Sequence, residues 1–290
     1  MPRAALGLHL IRHRAAVLGR PVGHSLSPVL HQAAYRALEL TDWRFDRIDC
    51  GAEDVAAVLA AAGDEQAGYA VTMPCKRAAL AAATLASGTA VTVGAANTLL
   101  PSGAGWLADN TDVYGLATVL RLFGAQAQLG SRDGVVVLGA GGTAQAAIVA
   151  LADVGFRSVE LVVRDPARAG AARDTAARAG VAVEVVAMDA ADAVLRSCAL
   201  LISTVPAPGA QAVSATAWRA DLLALDVIYP GWPTPLAISV TAAGGRAVSG
   251  AHLLLHQAAA QVQLMTGHPA PLEPMRAALR AEVGPALDGP

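Results

Sequence analysis

The middle of the chain alternates short apolar runs with segments of helical periodicity. Six runs rich in β-branched and aliphatic residues predict strands at 135–138, 160–163, 181–186, 200–203, 223–228 and 247–249. Helical segments lie between them at 143–154, 166–179 and near 190–196, and the second opens on Pro166 and ends before Gly180. Strands that alternate with helices predict an α/β fold with a doubly wound parallel sheet.

The first 112 residues show a less regular pattern. Strands are predicted at 15–18, 44–48, 68–72 and 98–100, and helices at 28–38, 53–62 and 77–86. Residues 253–266 form a late helix that is apolar on one face. We therefore predict an N-terminal α/β substrate domain at 1–112, a domain with the doubly wound sheet at 113–249, and a segment at 250–290 that packs back on the first domain.

A glycine-rich turn follows the first strand of the second domain. Residues without Cβ permit a tight turn and let backbone N–H groups approach a pyrophosphate at the positive end of the next helix. Position 144 holds alanine where the full motif has its third glycine. With a strand before it and a helix after it, the turn predicts a Rossmann-type dinucleotide site, and a purely structural turn is the alternative. Its members are Gly139, Ala140, Gly141, Gly142, Thr143 and Ala144.

The end of the next strand bears on the choice of dinucleotide. An acid there favours NAD, whereas an arginine accommodates the 2′-phosphate of NADP. Val163 is followed by Arg164 and Asp165, and Arg168 adds a second cation. We therefore predict NADP, with NAD as the second possibility. Asp165 could instead cap the next helix, and Arg164 could be a solvated surface residue.

Four islands of polar residues interrupt the apolar background at 19–28, 71–76, 96–98 and 109–112. Together they offer hydroxyls, amides, one ammonium and one carboxylate, a set that suits a small polyhydroxylated anion. Ser25 and Ser27 stand before a helix and could hold a carboxylate, or one of them could cap that helix. Lys76 ends a strand, where burial would tune it for acid–base work, although a surface lysine is the usual case. Without context, the fourth island is a turn.

Composition excludes several classes of partner. The 290-residue chain is 54% hydrophobic, but no run reaches the ~18 apolar residues that span a bilayer. A net charge of −2 at pH 7 provides no basic face for nucleic acid. Cys50, Cys75 and Cys198 lie far apart, and no metal-ligand spacing occurs. We expect a cytoplasmic protein with reduced thiols, without a metal, a nucleic-acid partner or a membrane partner, and either monomeric or homodimeric.

Taken in order, the islands resemble the signatures of the shikimate dehydrogenase family. Gly-x-Pro-x-x-His-Ser-x-Ser-Pro-x-x-His stands at 19–31, Val-Thr-x-Pro-x-Lys at 71–76, Gly-Ala-x-Asn-Thr at 94–98 and Asn-Thr-Asp at 110–112. The resemblance continues through 139–142, 226–230, 234–236 and 250–257, and it covers about residues 15–280. Each motif alone is modest, but the ordered set is specific.

The resemblance implies a reversible, NADP-dependent reduction of 3-dehydroshikimate to shikimate, a hydroxylated cyclohexene carboxylate of aromatic amino-acid and chorismate biosynthesis. It implies that Ser25 and Ser27 bind the carboxylate, and that Lys76 is the acid–base group with Asp112 as its partner. Further implied contacts are Thr72, Asn97 and Gln257 to the ring hydroxyls, Tyr229 lining the substrate site near the nicotinamide, and Thr204, Ile228 and Gly250 beside the cofactor.

Three positions depart from the family pattern. Ala70 replaces a usual asparagine, Leu253 replaces a usual methionine, and 163–165 keeps only the arginine of a usual Asn-Arg-Thr. A dehydrogenase of the quinate/shikimate or aminoshikimate type that uses NAD is therefore the competing hypothesis. A non-catalytic dinucleotide-binding sensor is a third hypothesis, which the presence of both Lys76 and Asp112 disfavours.

Overall fold

The computed structural model describes residues 11–103, 105–124 and 134–288. These residues form two six-stranded sheets, which we call the first and second lobes together with the helices that cover them. Among them, no helix is both long enough and apolar enough to cross a membrane.

The sheet of the first lobe is mixed. Its strands are β1 (His13–Gly19), β2 (Trp43–Asp49), β3 (Gln66–Val71), β4 (Leu85–Ala86), β5 (Thr98–Ser102) and β6 (Gly105–Asp109). They lie in the order β2-β1-β3-β5-β6-β4, with β1 parallel to β2 and β3, and β5 antiparallel to β3 and β6. The helices of this lobe are α1 (Ser27–Ala37), α2 (Val55–Ala60), α3 (Lys76–Ala82) and α4 (Gly88–Val93).

The sheet of the second lobe is entirely parallel. Its strands are β7 (Gly134–Leu138), β8 (Ser158–Val163), β9 (Ala182–Ala187), β10 (Cys198–Ser203), β11 (Leu223–Asp226) and β12 (Arg246–Ser249). Their order is β12-β11-β10-β7-β8-β9, so the chain reverses direction across the sheet between β7 and β10. Ligands of such sheets bind in the crevice at this point. The order confirms the predicted doubly wound sheet of six strands.

Helices cover both faces of the second sheet, so its central strands are apolar on both sides. These helices are α6 (Gly142–Val154), α7 (Gly170–Ala179), α8 (Asp192–Ser197), α9 (Ala207–Gln211) and α10 (Pro235–Ala242). Residues 135–138 of β7 are all buried, which explains why their sequence shows no alternation. α6 ends at Gly155, whose φ of +107° suits a residue without Cβ.

Three further helices join the lobes: α5 (Thr111–Leu122), α11 (Gly250–Thr266) and α12 (Leu272–Val283). α5 buries Leu116 and Leu120 in the core of the second lobe. α11 packs along α5, and it shares a second core with α1, in which Leu255 and Val262 meet Leu30. The C-terminal helix therefore returns to the first lobe, as predicted.

Several predicted boundaries are wrong, each for a local reason. The helix predicted at 77–86 ends at Ala82, because Ala83 is extended and Leu85–Ala86 pairs with β6. The strand predicted at 223–228 ends at Asp226, whose carboxylate accepts a hydrogen bond from the Ile228 N–H. The pattern also missed α4, which has six residues and only two buried side chains, too few for a periodic signal.

Candidate active site

A cleft of about 330 Å³ lies between the two lobes. All eight residues that the sequence proposed for catalysis and substrate binding line it: Ser25, Ser27, Thr72, Lys76, Asn97, Asp112, Tyr229 and Gln257. A larger groove of about 560 Å³ lies behind α5 and α11, but it contains none of them. Because the smaller cleft contains the Lys76–Asp112 ion pair together with the hydroxyl and amide groups proposed for the substrate, we take it as the candidate active site.

Lys76 and Asp112 form an ion pair inside the cleft. Lys76 begins α3, Asp112 lies in the first turn of α5, and their Nζ and Oδ2 atoms are 2.5 Å apart. The side chains are only 19% and 9% exposed, so the pair is not a solvated surface contact. α5 places the carboxylate because Asn110 caps the helix, accepting a hydrogen bond from the Asp112 N–H at 3.1 Å. The arrangement can give a proton to, or take one from, a group bound beside Lys76.

Asn97 supports the carboxylate from the other side. Its Nδ2 donates to Asp112 Oδ1 at 2.9 Å and lies 3.3 Å from Gln257 Oε1. Its Oδ1 accepts the backbone N–H of Thr111 at 2.7 Å. Because that backbone group can only donate, the orientation of the Asn97 amide is fixed by its surroundings. Asp112 is therefore held between an ammonium and an amide.

The paired serines face each other at the mouth of the cleft. Ser25 Oγ donates to Ser27 Oγ at 3.2 Å, so the two hydroxyls lie side by side, although Leu26 between them is not extended, with φ −91° and ψ 2°. The N-cap of α1 is Leu26, whose side chain makes no cap hydrogen bond. Ser25 Oγ instead accepts the backbone N–H of Ser27, the first residue of α1, at 3.3 Å, so Ser25 satisfies a donor at the start of the helix although it is not the N-cap residue. Both serines line the cleft.

The remaining polar residues complete the walls. Thr72 follows β3, while Gln257 projects from α11 and donates to the carbonyl of Leu254 at 3.0 Å. Tyr229 follows β11, and burial raises the pKa of its phenol above the ordinary value. Ala70 contributes only a methyl group to the wall beside Thr98, so position 70 offers no side-chain hydrogen bond to a ligand.

The glycine-rich turn fits a dinucleotide. It follows β7 at the point where the strand order reverses, and Gly139 has a φ of +107°. A Cβ at Gly139 would lie 2.6 Å from Thr204 Oγ1, which itself donates to the Leu138 carbonyl. α6 starts at Gly142 after a Gly141 cap that contributes no side-chain hydrogen bond, so no cap side chain occupies the N–H groups of the first turn.

The other residues predicted at the cofactor occupy different surroundings. Thr143 lines the cleft, and Ala140 is half-buried at the turn. Ala144 is fully buried in the core, where its small size permits close packing of helix on strand. Ile228 is half-buried after β11.

Two arginines stand at the end of β8. Arg164 and Arg168 are both exposed, beyond the carboxyl end of the strand next to β7. Asp165 Oδ1 accepts the Ala167 N–H at 3.0 Å, so the cap interpretation of Asp165 is confirmed. With its carboxylate engaged at the cap, the cations at this edge suit a phosphate better than a ribose hydroxyl.

Gly250 lies at the junction of β12 and α11, against the residue that follows β11. A Cβ at this position would lie 1.9 Å from the Val227 carbonyl oxygen, so only glycine allows α11 to start here. The same junction brings Leu253 and Gln257 into the cleft. On the opposite wall, a Cβ at Gly142 would lie 3.8 Å from Lys76 Cδ, which places the lysine beside the glycine-rich turn.

The sequence contains two signals that pattern analysis missed. Lys76 is the only lysine in the chain, in which 21 residues are lysine or arginine. Gln261 also lines the cleft, one helical turn beyond Gln257, and the i, i+4 spacing on an apolar helix would have identified it.

Comparisons with known proteins agree with this geometry. A family model described as the shikimate dehydrogenase substrate binding domain matches residues 17–99, and one described as the shikimate 5′-dehydrogenase C-terminal domain matches residues 250–280. The shikimate dehydrogenase (NADP(+)) of Halobacterium salinarum is 38% identical over 273 residues, which is 92% of this chain and 98% of the relative.

Solved structures extend the similarity to the fold. The crystal structure of Mycobacterium tuberculosis shikimate dehydrogenase is 44% identical with a TM-score of 0.82, and the match covers 93% of this chain and 99% of that chain. A Thermus thermophilus shikimate 5-dehydrogenase, solved in complex with NADP(H) and shikimate, is 28% identical with a TM-score of 0.77 and the same coverage. The chain belongs to the shikimate dehydrogenase family.

Proposed function

We propose that this protein catalyses the reversible, NADP-dependent reduction of 3-dehydroshikimate to shikimate. The observation that carries the proposal is the part-buried Lys76–Asp112 pair, 2.5 Å between Nζ and Oδ2, set in a cleft beside a glycine-rich dinucleotide turn. The related proteins named shikimate dehydrogenase (NADP(+)) support the choice of substrate and cofactor.

We propose that the substrate is held at both ends of its ring. Ser25 and Ser27, whose hydroxyls lie 3.2 Å apart, bind the carboxylate at the mouth of the cleft. Thr72, Asn97 and Gln257 provide hydroxyl and amide groups for the ring hydroxyls deeper inside. Such fixed partners discriminate strongly against analogues that lack a hydroxyl, because the buried groups would then stay unpaired.

Lys76 and Asp112 are responsible for the proton transfer in this proposal. The reduced nicotinamide, when bound, supplies the hydride for the ketone carbon. Lys76 then gives one proton from Nζ to the ketone oxygen, which becomes the hydroxyl of the product. Asp112 keeps the ammonium charged and oriented before this transfer. In the reverse direction, the lysine amine accepts the hydroxyl proton.

The proposed NADP site lies at the glycine-rich turn and the start of α6. The N–H groups at the start of α6 would bind the pyrophosphate, with Gly139, Gly141 and Gly142 allowing its close approach. Arg164 and Arg168 would bind the 2′-phosphate, while Thr204, Ile228 and Tyr229 would lie beside the nicotinamide.

A steady-state comparison of shikimate with quinate, each with NADP and with NAD, tests the proposal. We expect the highest kcat/KM for shikimate with NADP. The competing hypothesis draws on Ala70, which removes a possible hydrogen bond from the wall of the cleft. Equal or better rates with quinate and NAD would replace the proposal by that hypothesis.

We further infer a cytoplasmic protein that acts on a small molecule, as a monomer or a homodimer. Cys50, Cys75 and Cys198 are buried thiols that form no disulfide, as expected in a reducing compartment. Burial raises the pKa of Cys75 and Cys198 to about 12, which keeps these thiols protonated and unreactive. Light scattering on the purified protein would distinguish the monomer from the dimer.

A further inference from the structure

A continuous series of buried hydrogen bonds leads from α1 to the carboxylate of Asp112. Its members, in order, are Tyr35, His31, Gln261, Thr98 and Asn97, none more than 3% exposed. Only the last of them has a role in the proposed reaction. The direction of each hydrogen bond follows from groups that can only donate or only accept.

Gln261 is the link between the helices and the sheet. Its Nε2 donates to the Asn97 carbonyl and to Thr98 Oγ1, both at 3.0 Å. Because the backbone carbonyl can only accept, the NH₂ group of Gln261 must face β5. Its Oε1 therefore faces α1 and needs a donor there.

His31 is that donor. Its Nε2 lies 3.4 Å from Gln261 Oε1, so the imidazole proton must be on Nε2. Nδ1 is then an acceptor, and the Tyr35 hydroxyl lies 3.4 Å from it. The ring is completely buried, stacks on Phe45 with centroids 4.0 Å apart, and its pKa falls to about 3 because burial disfavours the charged form. His31 thus stays neutral in one tautomer.

Thr98 passes the orientation on to Asn97. Its Oγ1 accepts from Gln261, so its own hydroxyl proton is free to point at Asn97 Oδ1, 2.8 Å away. The Thr98 hydroxyl and the Thr111 N–H both donate to Asn97 Oδ1, so the oxygen of this amide faces away from Asp112. If the amide turned over, two oxygens would meet and the Asp112 carboxylate would lose its donor.

We propose that Gln261, oriented by His31, is a positioning residue for the Lys76–Asp112 pair. It fixes Asn97 and Thr98 so that the Asn97 amide donates to Asp112 Oδ1, and Asp112 Oδ2 stays directed at Lys76. The inference rests on the proposed function, because its effect is expressed in proton transfer by Lys76.

Replacing Gln261 by leucine tests the proposal. The Gln261→Leu variant removes both donors to β5 and the acceptor for His31. We expect kcat for the reduction of 3-dehydroshikimate to fall about 10- to 100-fold, since small displacements of reacting groups have effects of this size. The KM for NADPH should not change, because the glycine-rich turn is untouched. Gln263→Leu, an exposed position on the same helix, is the matched control and should behave like the wild type.

A second variant removes one hydroxyl and leaves the fold intact. Thr98→Val suits a strand and keeps the shape of the side chain, so it should fold even if Gln261→Leu does not. We expect it to lower kcat in the same direction, with a moderate fall in melting temperature because Gln261 Nε2 loses one buried acceptor. A purely structural role for Thr98 predicts the lower melting temperature with kcat unchanged.

Two variants of His31 distinguish its hydrogen bond to Gln261 from its stacking on Phe45. His31→Gln keeps a donor at the reach of Nε2 and should retain most of kcat, whereas His31→Phe keeps the stacking on Phe45 and should lose it. Wild-type kcat in both Gln261→Leu and Thr98→Val would overturn the positioning role. A wild-type protein that does not reduce 3-dehydroshikimate with NADPH would instead overturn the proposed function, so the two failures are distinct.

Discussion

At the residue scale, the composition of the chain supports a role of Lys76 in proton transfer, which its motif alone does not establish. Every other basic side chain of the Lys and Arg class is arginine. Arginine forms carboxylate pairs well, but its guanidinium does not release a proton in proteins. A position that only binds Asp112 could therefore be arginine, whereas one that must give and take a proton could not.

The first prediction separates charge from proton transfer. Lys76→Ala should lower kcat by about 10²- to 10⁴-fold, the usual contribution of general acid–base catalysis. Lys76→Arg should lower it similarly, because the variant keeps a cation beside Asp112 but cannot donate the proton. Shikimate binding, measured by calorimetry, should survive in the arginine variant. Near wild-type turnover in either variant would remove Lys76 from the mechanism.

A second prediction uses the single lysine as a label. An amine-directed reagent should modify one side chain, Lys76, besides the terminal amine. We expect inactivation to follow the modification of that side chain, and shikimate to protect against both, because the ε-amine lies inside the cleft. Mass spectrometry of the digested protein measures the site and extent of modification. Activity that persists after complete modification of Lys76 would contradict this prediction.

The third prediction concerns the choice of nucleotide. Arg164→Ala should raise the KM for NADP far more than the KM for NAD, since only NADP carries the 2′-phosphate that a guanidinium would bind. Arg173→Ala is the matched control, because Arg173 is exposed on α7 and lies outside the predicted site. Equal changes in both KM values for Arg164→Ala would make Arg164 an ordinary surface residue.

At the element scale, the fourth prediction tests the junction of β12 and α11. Gly250→Ala would place a methyl group 1.9 Å from the Val227 carbonyl oxygen, a backbone atom that cannot move aside cheaply. We expect a loss of at least about 1–3 kcal/mol in the free energy of unfolding, the range for overpacked sites. Urea denaturation measures it. Gly23→Ala, where nothing lies within 4 Å of the added Cβ, should have little effect.

Elements with a strong local pattern could be predicted from the sequence, and those defined by distant contacts could not. The apolar run of β7 and the glycine-rich turn identified the second lobe, because parallel strands buried on both faces leave a distinct pattern. β4 has two exposed residues and exists only because it pairs with β6, so its sequence reads as part of a helix.

The candidate site divides in the same way. Ser25, Lys76 and Asp112 lie in motifs at turns and could be found from the sequence. The spacing of Gln261 from Gln257 places it on the cleft side of α11, but its role could not be predicted, since that role depends on contacts with Asn97 and His31 that are 164 and 230 positions away in the chain. Hydrogen bonds of this range are invisible to any local pattern.

At the scale of the whole molecule, the lobes are joined by helices and by hydrogen bonds outside the cleft. Buried Thr175 on α7 donates to the Val93 carbonyl at 2.9 Å, and Arg178 donates to the Thr92 carbonyl at 3.0 Å. These contacts tie α4 of the first lobe to the second lobe. The domain boundaries near 112 and 250 stay predictions of the sequence.

A pair of buried histidines on α11 makes the stability of the molecule depend on pH. Burial, together with the nearby Arg276, lowers the pKa of His252 and of His256 to about 4. Both nitrogens of His252 and Nε2 of His256 have no hydrogen-bond partner among the described residues. Asp288 and Arg280 also face His252, with opposite effects on its charge. Because the folded state keeps these imidazoles neutral, protonation favours the unfolded chain.

The last prediction follows from the sign of that shift. Between pH 6.5 and about 4, the unfolded histidines bind protons that the folded ones do not, so stability falls as the pH falls through this window. Each histidine contributes a slope of up to about 1.4 kcal/mol per pH unit. His256→Leu should therefore unfold in urea with a shallower pH dependence than the wild type, because it removes one such group and leaves no unpartnered nitrogen at that position. The control is His268→Gln at an exposed position, which should keep the wild-type slope. An unchanged slope in His256→Leu would contradict the prediction, because it would mean that His256 gains its proton over the same pH range in the folded and the unfolded state.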